Sequence, residues 1–394
     1  MLNSNILKSE VQEFISKHVG SNIQQLALKG SPFDGIETSD LVEQILCKSK
    51  CQHKLPLWFK TKRIYFPKKL NIEQTSSETT ALYKSGLISG SSLIDLTGGF
   101  GVDSFYFSKT IKAVTHCEIN ENLSEVVKHN IKVLEAENIE SVTGDGLEKL
   151  KHDDTNFDWI YLDPSRRDKN RNKRFFISDC SPDVSKHLDL FFKHSKNIMI
   201  KLSPMLDIKA ALEVLPQTKT VHVIAVKNEV KELLFILEKN TSEEPILKAI
   251  NLNSNQPLFE FVRSEERECT PNYSEPLGYL YEPNNAILKG GAFKILTKQF
   301  DLFKLDQHSH LYTSNKFIDS FPGKAYKIIE QLPNQRKEIK KKLSGQKINV
   351  KVRNYSRSVE QIKTSYNISD GGQLFLFCTK ALSKKVILKC ELID

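Results

Sequence analysis

The segment SSLIDLTGGFG, residues 91–101, limits what this chain can fold into more than any other stretch. Its apolar run at 93–96 predicts a buried parallel strand, and residues 102–110 predict the helix that follows. Three glycines between the two allow a tight turn and a close approach of backbone to a ligand. The N-terminus of a helix presents free N–H groups and the positive end of the helix dipole. The turn therefore suits an anionic or carboxylate-bearing cofactor, and a plain strand-to-helix connection is the alternative.

Strand-like apolar runs alternate with helical patterns from residue 91 to about residue 238. Strands that are separated by helices indicate βαβ units and a mostly parallel sheet. The runs at 221–226 and 233–237 are too close together for a helical crossover, so they predict an antiparallel hairpin. The expected fold class is therefore α/β, with a Rossmann-like sheet that is mostly parallel and closes with this hairpin.

The chain is too long for a single hydrophobic core, so several domains are expected in its 394 residues. Helical spacing of apolar residues dominates the first part of the chain, and the strand–helix alternation stops after residue 240. In the third domain, residues 285–299 predict one helix. The predicted domains are an N-terminal helical region at 1–88, the α/β domain at 89–240, a small α+β domain at 241–320 and a basic α+β domain at 321–394.

The net charge of +9 is concentrated at one end of the chain. Residues 321–394 contain 16 Lys and Arg against 6 Asp and Glu, whereas the preceding 320 residues contain 41 against 42. An excess of basic residues in one domain favours a polyanionic partner, with nucleic acid as the first choice. A lysine-rich face that is merely solvated is the alternative.

Composition disfavours membrane, secreted and metal-binding proteins. No apolar run approaches the roughly 18–20 residues of a membrane-spanning helix, and the first residues lack the pattern of a signal peptide. Seven cysteines without regular spacing are typical of reduced thiols in the cytoplasm. Cys47, Cys51 and His53 lie close together, but no second pair of ligands follows, so we predict no metal site. The sequence indicates no particular oligomeric state.

Acidic residues at the ends of the next two predicted strands extend the site. Glu118 ends the second strand, where a carboxylate can accept hydrogen bonds from both ribose hydroxyls of a nucleoside cofactor. This residue does not separate NAD from S-adenosylmethionine (SAM), and a place beside a helix N-cap is its alternative role. Asp145 ends the third strand, in an Asp-Gly pair that is also typical of a turn.

The most discriminating motif is DPSRR, residues 163–167, directly after the predicted buried strand at 157–162. It lies where cofactor and substrate are expected to meet at the edge of such a sheet. The basic segment 168–174 follows, and it is either a loop that contacts phosphates or a solvated one. Lys201 ends the fifth strand and is expected to line the substrate side of the pocket. Cys180, also close to the site in sequence, is interpreted as structural.

The glycine turn resembles motif I of the class I SAM methyltransferases, and DPSRR resembles motif IV of the amino-directed nucleic-acid methyltransferases. In the second family, the acidic side chain and a carbonyl beside the proline accept hydrogen bonds from the target nitrogen. Thr97 stands where many members of the first family have a glycine. Ser165 and Arg166 stand where the second family has a proline and a stacking aromatic. The resulting arginine pair suits phosphates or a guanine edge instead.

Over most of residues 70–394 the sequence resembles a bacterial group of class I methyltransferases with a ferredoxin-like insertion and a C-terminal THUMP-like domain. The segments YLYEP (279–283), KVRN (351–354) and GGQLF (371–375) resemble the two appended units. The resemblance implies SAM as the cofactor and, by analogy, RNA (tRNA or rRNA) as the partner. The residues that it places around the cofactor are Asp95, Thr97, Gly98, Gly99, Gly101, Glu118, Ile119, Asp145 and Gly146. It assigns a catalytic role to Asp163, Pro164 and Ser165. The basic residues around this motif and at the end of the fifth strand are predicted to contact the substrate: Arg166, Arg167, Arg171 and Lys201.

The expected function is methyl transfer from SAM to a nitrogen of an RNA base, with the basic C-terminal domain binding the RNA. Two alternatives stay open at this point. One is a methyltransferase for a small molecule or a protein, and the other is a non-catalytic, SAM-dependent RNA-binding protein.

Overall fold

The structure is a computed structural model that describes residues 2–166, 176–333 and 335–393. Its contacts divide the chain into two units. The first unit contains Met1–Lys219 and Leu233–Ser242, and the second contains Thr220–Glu232 and Glu243–Asp394. The four predicted domains stay a prediction. Among the described residues, no helix combines the length and the apolar character that crossing a membrane would require.

Helices fill the chain before the first strand, as the sequence predicts. They are α1 (Ser9–Lys17), α2 (Ile23–Lys29), α3 (Thr38–Lys54), α4 (Pro56–Lys60), α5 (Lys69–Gln74) and α6 (Glu78–Ser85). Helix α6 begins after Ser77, whose side chain accepts a hydrogen bond from the backbone N–H of Thr80 at 3.2 Å. Such an N-cap satisfies one of the free N–H groups of the first turn. A small core forms around α1 and α3 from Ile6, Val11, Ile15, Ile36, Leu41 and Ile45.

Strands and helices then alternate along the chain. The strands are β1 (Gly90–Asp95), β2 (Ile111–Glu118), β3 (Ile139–Thr143), β4 (Phe157–Leu162), β5 (Ser165–Arg166), β6 (Cys180–Ser181), β7 (Ser195–Leu202), β8 (Thr218–Val226), β9 (Glu229–Glu238), β10 (Ile246–Leu252) and β11 (Phe259–Val262). The helices are α7 (Val102–Phe107), α8 (Glu121–Val133), α9 (Gly146–Lys151), α10 (Leu188–His194) and α11 (Ile208–Val214).

Nine of these strands form one sheet in the order β11-β10-β8-β9-β7-β4-β1-β2-β3. The pairs that β1 makes with β2 and β4 are parallel, as are β2 with β3 and β4 with β7. Strand β9 runs antiparallel to β7 and is the neighbour of β8. The predicted α/β class, with a mostly parallel sheet, is therefore confirmed. The central strands carry fully buried Ile94, Ile160 and Ile198, as parallel strands covered on both faces require.

The sheet continues beyond the predicted hairpin. Strand β10 pairs in parallel with β8, and β11 pairs antiparallel with β10. Residues 246–262, which the sequence analysis assigned to the small α+β domain, thus contribute two strands to this sheet. Their strict alternation explains the pairing, because Leu247, Ala249, Phe259 and Phe261 are buried and their neighbours are not.

The remaining elements of the second unit form a seven-stranded sheet with helices. They are α12 (Arg263–Glu268), β12 (Tyr279–Pro283), α13 (Asn285–Gly290), α14 (Ile295–Gln299), β13 (Phe303–Lys304), β14 (Tyr312–Ser314), β15 (Gly323–Leu332), α15 (Arg336–Leu343), β16 (Asn349–Val352), α16 (Val359–Tyr366), β17 (Leu374–Ala381) and β18 (Lys384–Ile393). The strand order is β13-β14-β12-β15-β18-β17-β16. Because β12 pairs with β15, the regions predicted as two α+β domains share one sheet.

One prediction for this unit is wrong in detail, and one strand was not predicted. The single helix expected at 285–299 is two helices, because Gly291 adopts a left-handed conformation (φ 82°) that ends α13. Strand β15 was not predicted at all. Its pairing with β18 shifts register between Ile328 and Glu330. Burial still alternates along the strand, but Ile329 is exposed and the charged Glu330 is partly buried, so the sequence lacks the alternation of apolar and polar residues by which a strand is recognised.

Candidate active site

The glycine turn follows β1 and is shaped by a histidine beneath it. Gly99 and Gly101 have positive φ values of 56° and 77°, and Gly101 is the N-cap of α7. The N–H of Gly98 donates to the carbonyl of Cys117 at 2.8 Å. A Cβ at residue 98 would lie 2.2 Å from Nε2 of His116, so only glycine fits there.

His116 is fully buried under this turn. Its Nε2 has no hydrogen-bond partner among the described residues, and Nδ1 lies 3.5 Å from the hydroxyl of Ser141. Burial lowers the pKa of the imidazole to about 4, so the ring is neutral at neutral pH. Its role is to fill the space that the glycine backbone leaves.

Asp95 ends β1 and is buried, with both carboxylate oxygens directed into the turn. They accept hydrogen bonds from the N–H of Thr97 (3.0 Å) and the hydroxyl of Ser104 (2.6 Å). Burial raises the pKa of Asp95 to about 7. The contacts seen here hold the turn in place, and the contact of Asp95 with a cofactor stays a prediction.

Glu118 connects the glycine turn to the end of β2. Its carboxylate accepts hydrogen bonds from the N–H of Gly99 (2.9 Å) and of Asn120 (2.7 Å). Burial raises the pKa of this half-buried carboxyl. The next residue, Ile119, is 70% exposed. A carboxylate beside an exposed apolar surface is the arrangement that a ribose and its base require.

The end of β3 packs closely against the same edge. Gly146 is buried, and a Cβ there would lie 2.5 Å from the carbonyl oxygen of Leu96. Asp145 accepts a hydrogen bond from the N–H of Leu147 at 2.8 Å and thereby caps α9. The backbone of Gly144 donates to the carbonyl of Glu118 at 2.9 Å. The tip of β3 therefore lies beside the tips of β1 and β2, and adenine contact by Asp145 stays a prediction.

Asp163 lies in a row of three side chains across the carboxyl ends of β1, β4 and β7. Its backbone N–H donates to Oγ1 of Thr97 at 2.6 Å, and its carboxylate forms an ion pair with Lys201. The sheet register explains the row. Leu162 of β4 is paired with Ile200 of β7, so the next residues, Asp163 and Lys201, are also neighbours. The side chains of Asp163 and Lys201 are 31% and 12% exposed. The structure thus brings Asp163, Thr97 and Lys201 together.

A buried charge network beneath this row was not predicted. Asp103, in α7, accepts hydrogen bonds from the hydroxyls of Ser76 and Tyr161, each at 2.7 Å. The ammonium of Lys84 lies 3.1 Å from its other oxygen. Burial alone would raise the pKa of Asp103, but the charges of Lys84 and Lys201 and the two hydrogen bonds lower it overall. The partners of Asp103 are too far from it in the sequence to be paired by any local pattern. The acidic residue soon after the glycine turn was the one signal that could have indicated a functional carboxylate there.

Part of the predicted substrate side lies outside the described residues, namely Arg167, Arg171 and the segment 168–174. Just before this gap, the backbone of Arg166 pairs with that of Cys180 in a short antiparallel ladder. Pro164 is buried and Ser165 is exposed. Cys180 is fully buried. In the described part of the chain, no group of three metal-ligating side chains comes together.

A glycine turn after β1, a carboxylate at the end of β2 and an Asp-Pro motif after β4, on this sheet, define the class I methyltransferase fold. The most informative comparison is with the crystal structure of a methyltransferase candidate from Porphyromonas gingivalis W83, at 30% identity and a TM-score of 0.89. The match covers 100% of both chains. Residues 279–322 match the model of a ferredoxin-like domain and residues 323–392 that of a THUMP-like domain. The chain therefore belongs to the family of class I methyltransferases that carry these two domains.

Two further structures are similar to a smaller part of the chain. An rRNA methylase from Streptococcus thermophilus is 18% identical over 42% of this chain and 95% of its own, with a TM-score of 0.30. TrmK from M. capricolum, in complex with S-adenosylhomocysteine, is 16% identical over 41% of this chain and 68% of its own, with a TM-score of 0.32. No curated protein sequence matches this chain.

Proposed function

We propose that this methyltransferase transfers the methyl group of SAM to a nitrogen of an RNA base. The observation that carries the proposal is the position of Asp163, which is hydrogen-bonded through its backbone to Thr97 of the glycine turn and keeps a partly exposed carboxylate. A carboxylate at this position can accept a hydrogen bond from the target nitrogen and orient its lone pair.

The residues of the turn fit SAM as the cofactor. Glu118 is oriented by two backbone N–H groups at the end of β2, where it can accept both ribose hydroxyls. Ile119 offers an exposed apolar side chain for the adenine ring, and the backbone at Gly98 and Gly99 can approach the amino-acid part closely. When bound, SAM supplies a methyl group activated by a sulfonium.

The charge of the C-terminal segment supports RNA as the partner. Helix α15 buries Ile339 and Leu343 and exposes five basic side chains. They are Arg336, Lys337, Lys340, Lys341 and Lys342. Such a surface suits a phosphate backbone, and the release of counterions makes that kind of binding weaken as salt is raised.

The proposal is tested by incubating the protein with methyl-labelled SAM and total RNA from cells that lack the gene. We expect label in the RNA, and loss of at least about 100-fold in rate for Asp163→Asn, because the amide keeps one acceptor oxygen but loses the negative charge and cannot take up a proton. Asp154→Asn, at the opposite end of β4, is the matched control and should retain activity. Calorimetry with SAM reports cofactor binding separately.

Two outcomes would contradict the proposal. If SAM binds but label enters a small molecule or protein instead of RNA, and association with RNA does not depend on salt, the substrate is wrong. If RNA binds in a salt-dependent manner but no substrate is methylated, the chain is a binding protein and not an RNA methyltransferase.

A further inference from the structure

Asp163 and Lys201 present opposite hydrogen-bonding groups side by side. A carboxylate only accepts hydrogen bonds, and an ammonium only donates them. Both are partly exposed, at the ends of the neighbouring parallel strands β4 and β7. A flat ligand edge that lies across both side chains must therefore offer an N–H to Asp163 and an acceptor to Lys201.

We propose that the methyl acceptor is a ring N–H next to a carbonyl, the edge that guanine (N1–H and O6) and uracil (N3–H and O4) carry. Asp163 accepts the N–H, and Lys201 donates to the carbonyl oxygen. This inference rests on the proposed function and names the class of base on which the site acts.

The charge of Lys201 favours a ring N–H over an exocyclic amino group as the nitrogen that is methylated. An amino nitrogen becomes positive as it attacks the methyl group, and an ammonium beside it opposes that charge. A ring N–H that loses its proton develops negative charge on the nitrogen and on the neighbouring carbonyl oxygen. An ammonium at that oxygen stabilises the charge as it forms.

The step balances with the groups present. The ring N–H passes its proton to the carboxylate of Asp163, and the nitrogen lone pair forms the new N–CH3 bond. The S–CH3 bond breaks, and its electron pair stays on sulfur, which leaves neutral S-adenosylhomocysteine. Asp163 then releases its proton to water.

A second carboxylate supports Lys201 while Asp163 is protonated. Asp103 is within electrostatic reach, since the charge of Lys201 contributes to the lowered pKa of Asp103. Asp103 is itself buried and held by the hydroxyls of Ser76 and Tyr161 and by Lys84. The negative charge of Asp103 therefore remains near Lys201 while Asp163 is protonated.

The test is mass spectrometry of nucleosides from RNA methylated in vitro by the wild-type protein. A methyl group on N1 of guanosine or N3 of uridine is the expected result. A methyl group on an exocyclic amine, or on N1 of adenosine, overturns the inference and leaves the proposed function intact. Absence of transfer to any RNA overturns the proposed function and this inference with it.

Variants of Lys201 add a readout that a merely structural role would not change. Lys201→Met should shift the pH at which kcat is half-maximal upward by at least about one unit, because the ring N–H then loses its proton less easily. Lys201→Arg keeps the positive charge, so its pH profile should stay close to that of the wild-type protein. Lys196→Met, at the other end of β7, should show no shift. SAM affinity by calorimetry should stay within about threefold in all three variants. An unchanged pH profile in Lys201→Met, with SAM binding retained, would falsify the role of Lys201.

Discussion

Each unit pairs a carboxylate with a lysine ammonium, and the two clusters, one around Asp163 and one around Glu282, differ in how much of the carboxylate reaches solvent. In the second unit, Glu282 accepts hydrogen bonds from Tyr326 and Arg353, both at 3.2 Å, and is paired with Lys351. Its side chain is 10% exposed, against 31% for Asp163. The ammonium of Lys351 also lies 5.4–5.7 Å from the ring centres of Tyr326, Phe375 and Phe377.

The two clusters therefore serve different purposes. Glu282 joins β12 to β15 and β16 and has both oxygens occupied, so it stabilises the sheet. Asp163 has one oxygen paired with Lys201 and lies at the carboxyl ends of parallel strands, beside the glycine turn. Of the two carboxylates, Asp163 is therefore the one that a ligand can reach.

The largest effect should come from Glu282→Gln. This change leaves Lys351 without its counter-charge among aromatic rings, so we expect a loss of about 3 kcal/mol in the free energy of unfolding, measured by urea titration. Glu391→Gln, exposed on β18 of the same sheet, is the matched control. The double variant Glu282→Gln/Lys351→Met should recover part of the loss. A loss no larger than that of the control would erase the distinction between the clusters. Asp163→Asn should change stability by about 1 kcal/mol or less.

The next effect concerns the glycine turn, which lies beside Asp163 in the first unit. Gly98→Ala places a methyl group against His116, so we expect a loss of about 2 kcal/mol in stability from overpacking. SAM affinity by calorimetry should fall at least about tenfold, because the turn must move. Gly86→Ala, where a Cβ makes only ordinary contacts, is the control. If Gly98→Ala binds SAM as tightly as the control, the turn does not hold the cofactor.

Acid should weaken the first unit through His116. The folded-state pKa of about 4 lies below the ordinary value of 6.5, so the unfolded state binds the proton first as pH falls. The stability contributed by the neutral ring is complete above pH 6.5 and is lost as pH falls towards 4. Relative to His116→Gln, the wild-type protein should lose about 2 kcal/mol between pH 8 and pH 5. Parallel pH dependences of the two proteins would mean that His116 is not buried as described.

The smallest effect tests the ribose contact. Glu118→Gln keeps one acceptor oxygen but loses the charge and the second acceptor, so SAM affinity should fall about tenfold, which is about 1.4 kcal/mol. Glu121→Gln, exposed in the first turn of α8, is the control and should bind normally. Equal affinities in the two variants would remove Glu118 from the cofactor site.

Local pattern in the sequence determined the alternation of strands and helices, the glycine turn after β1 and the Asp-Pro motif after β4. These features depend on neighbours within a few residues, because a strand, a helix or a tight turn is specified by periodicity and by residues with special backbone freedom. The exposed Ile329 in β15 and the glycine that ends α13 show the limit of such reasoning.

Only the tertiary structure decided which charges meet. Lys201 reaches Asp163 across 38 residues because β7 lies beside β4 in a fixed register, and Lys84 reaches Asp103 because α6 packs on α7. The pairing of β12 with β15 likewise joined two predicted domains in one sheet. Contacts between distant residues follow from strand order and packing, which no short stretch of sequence records.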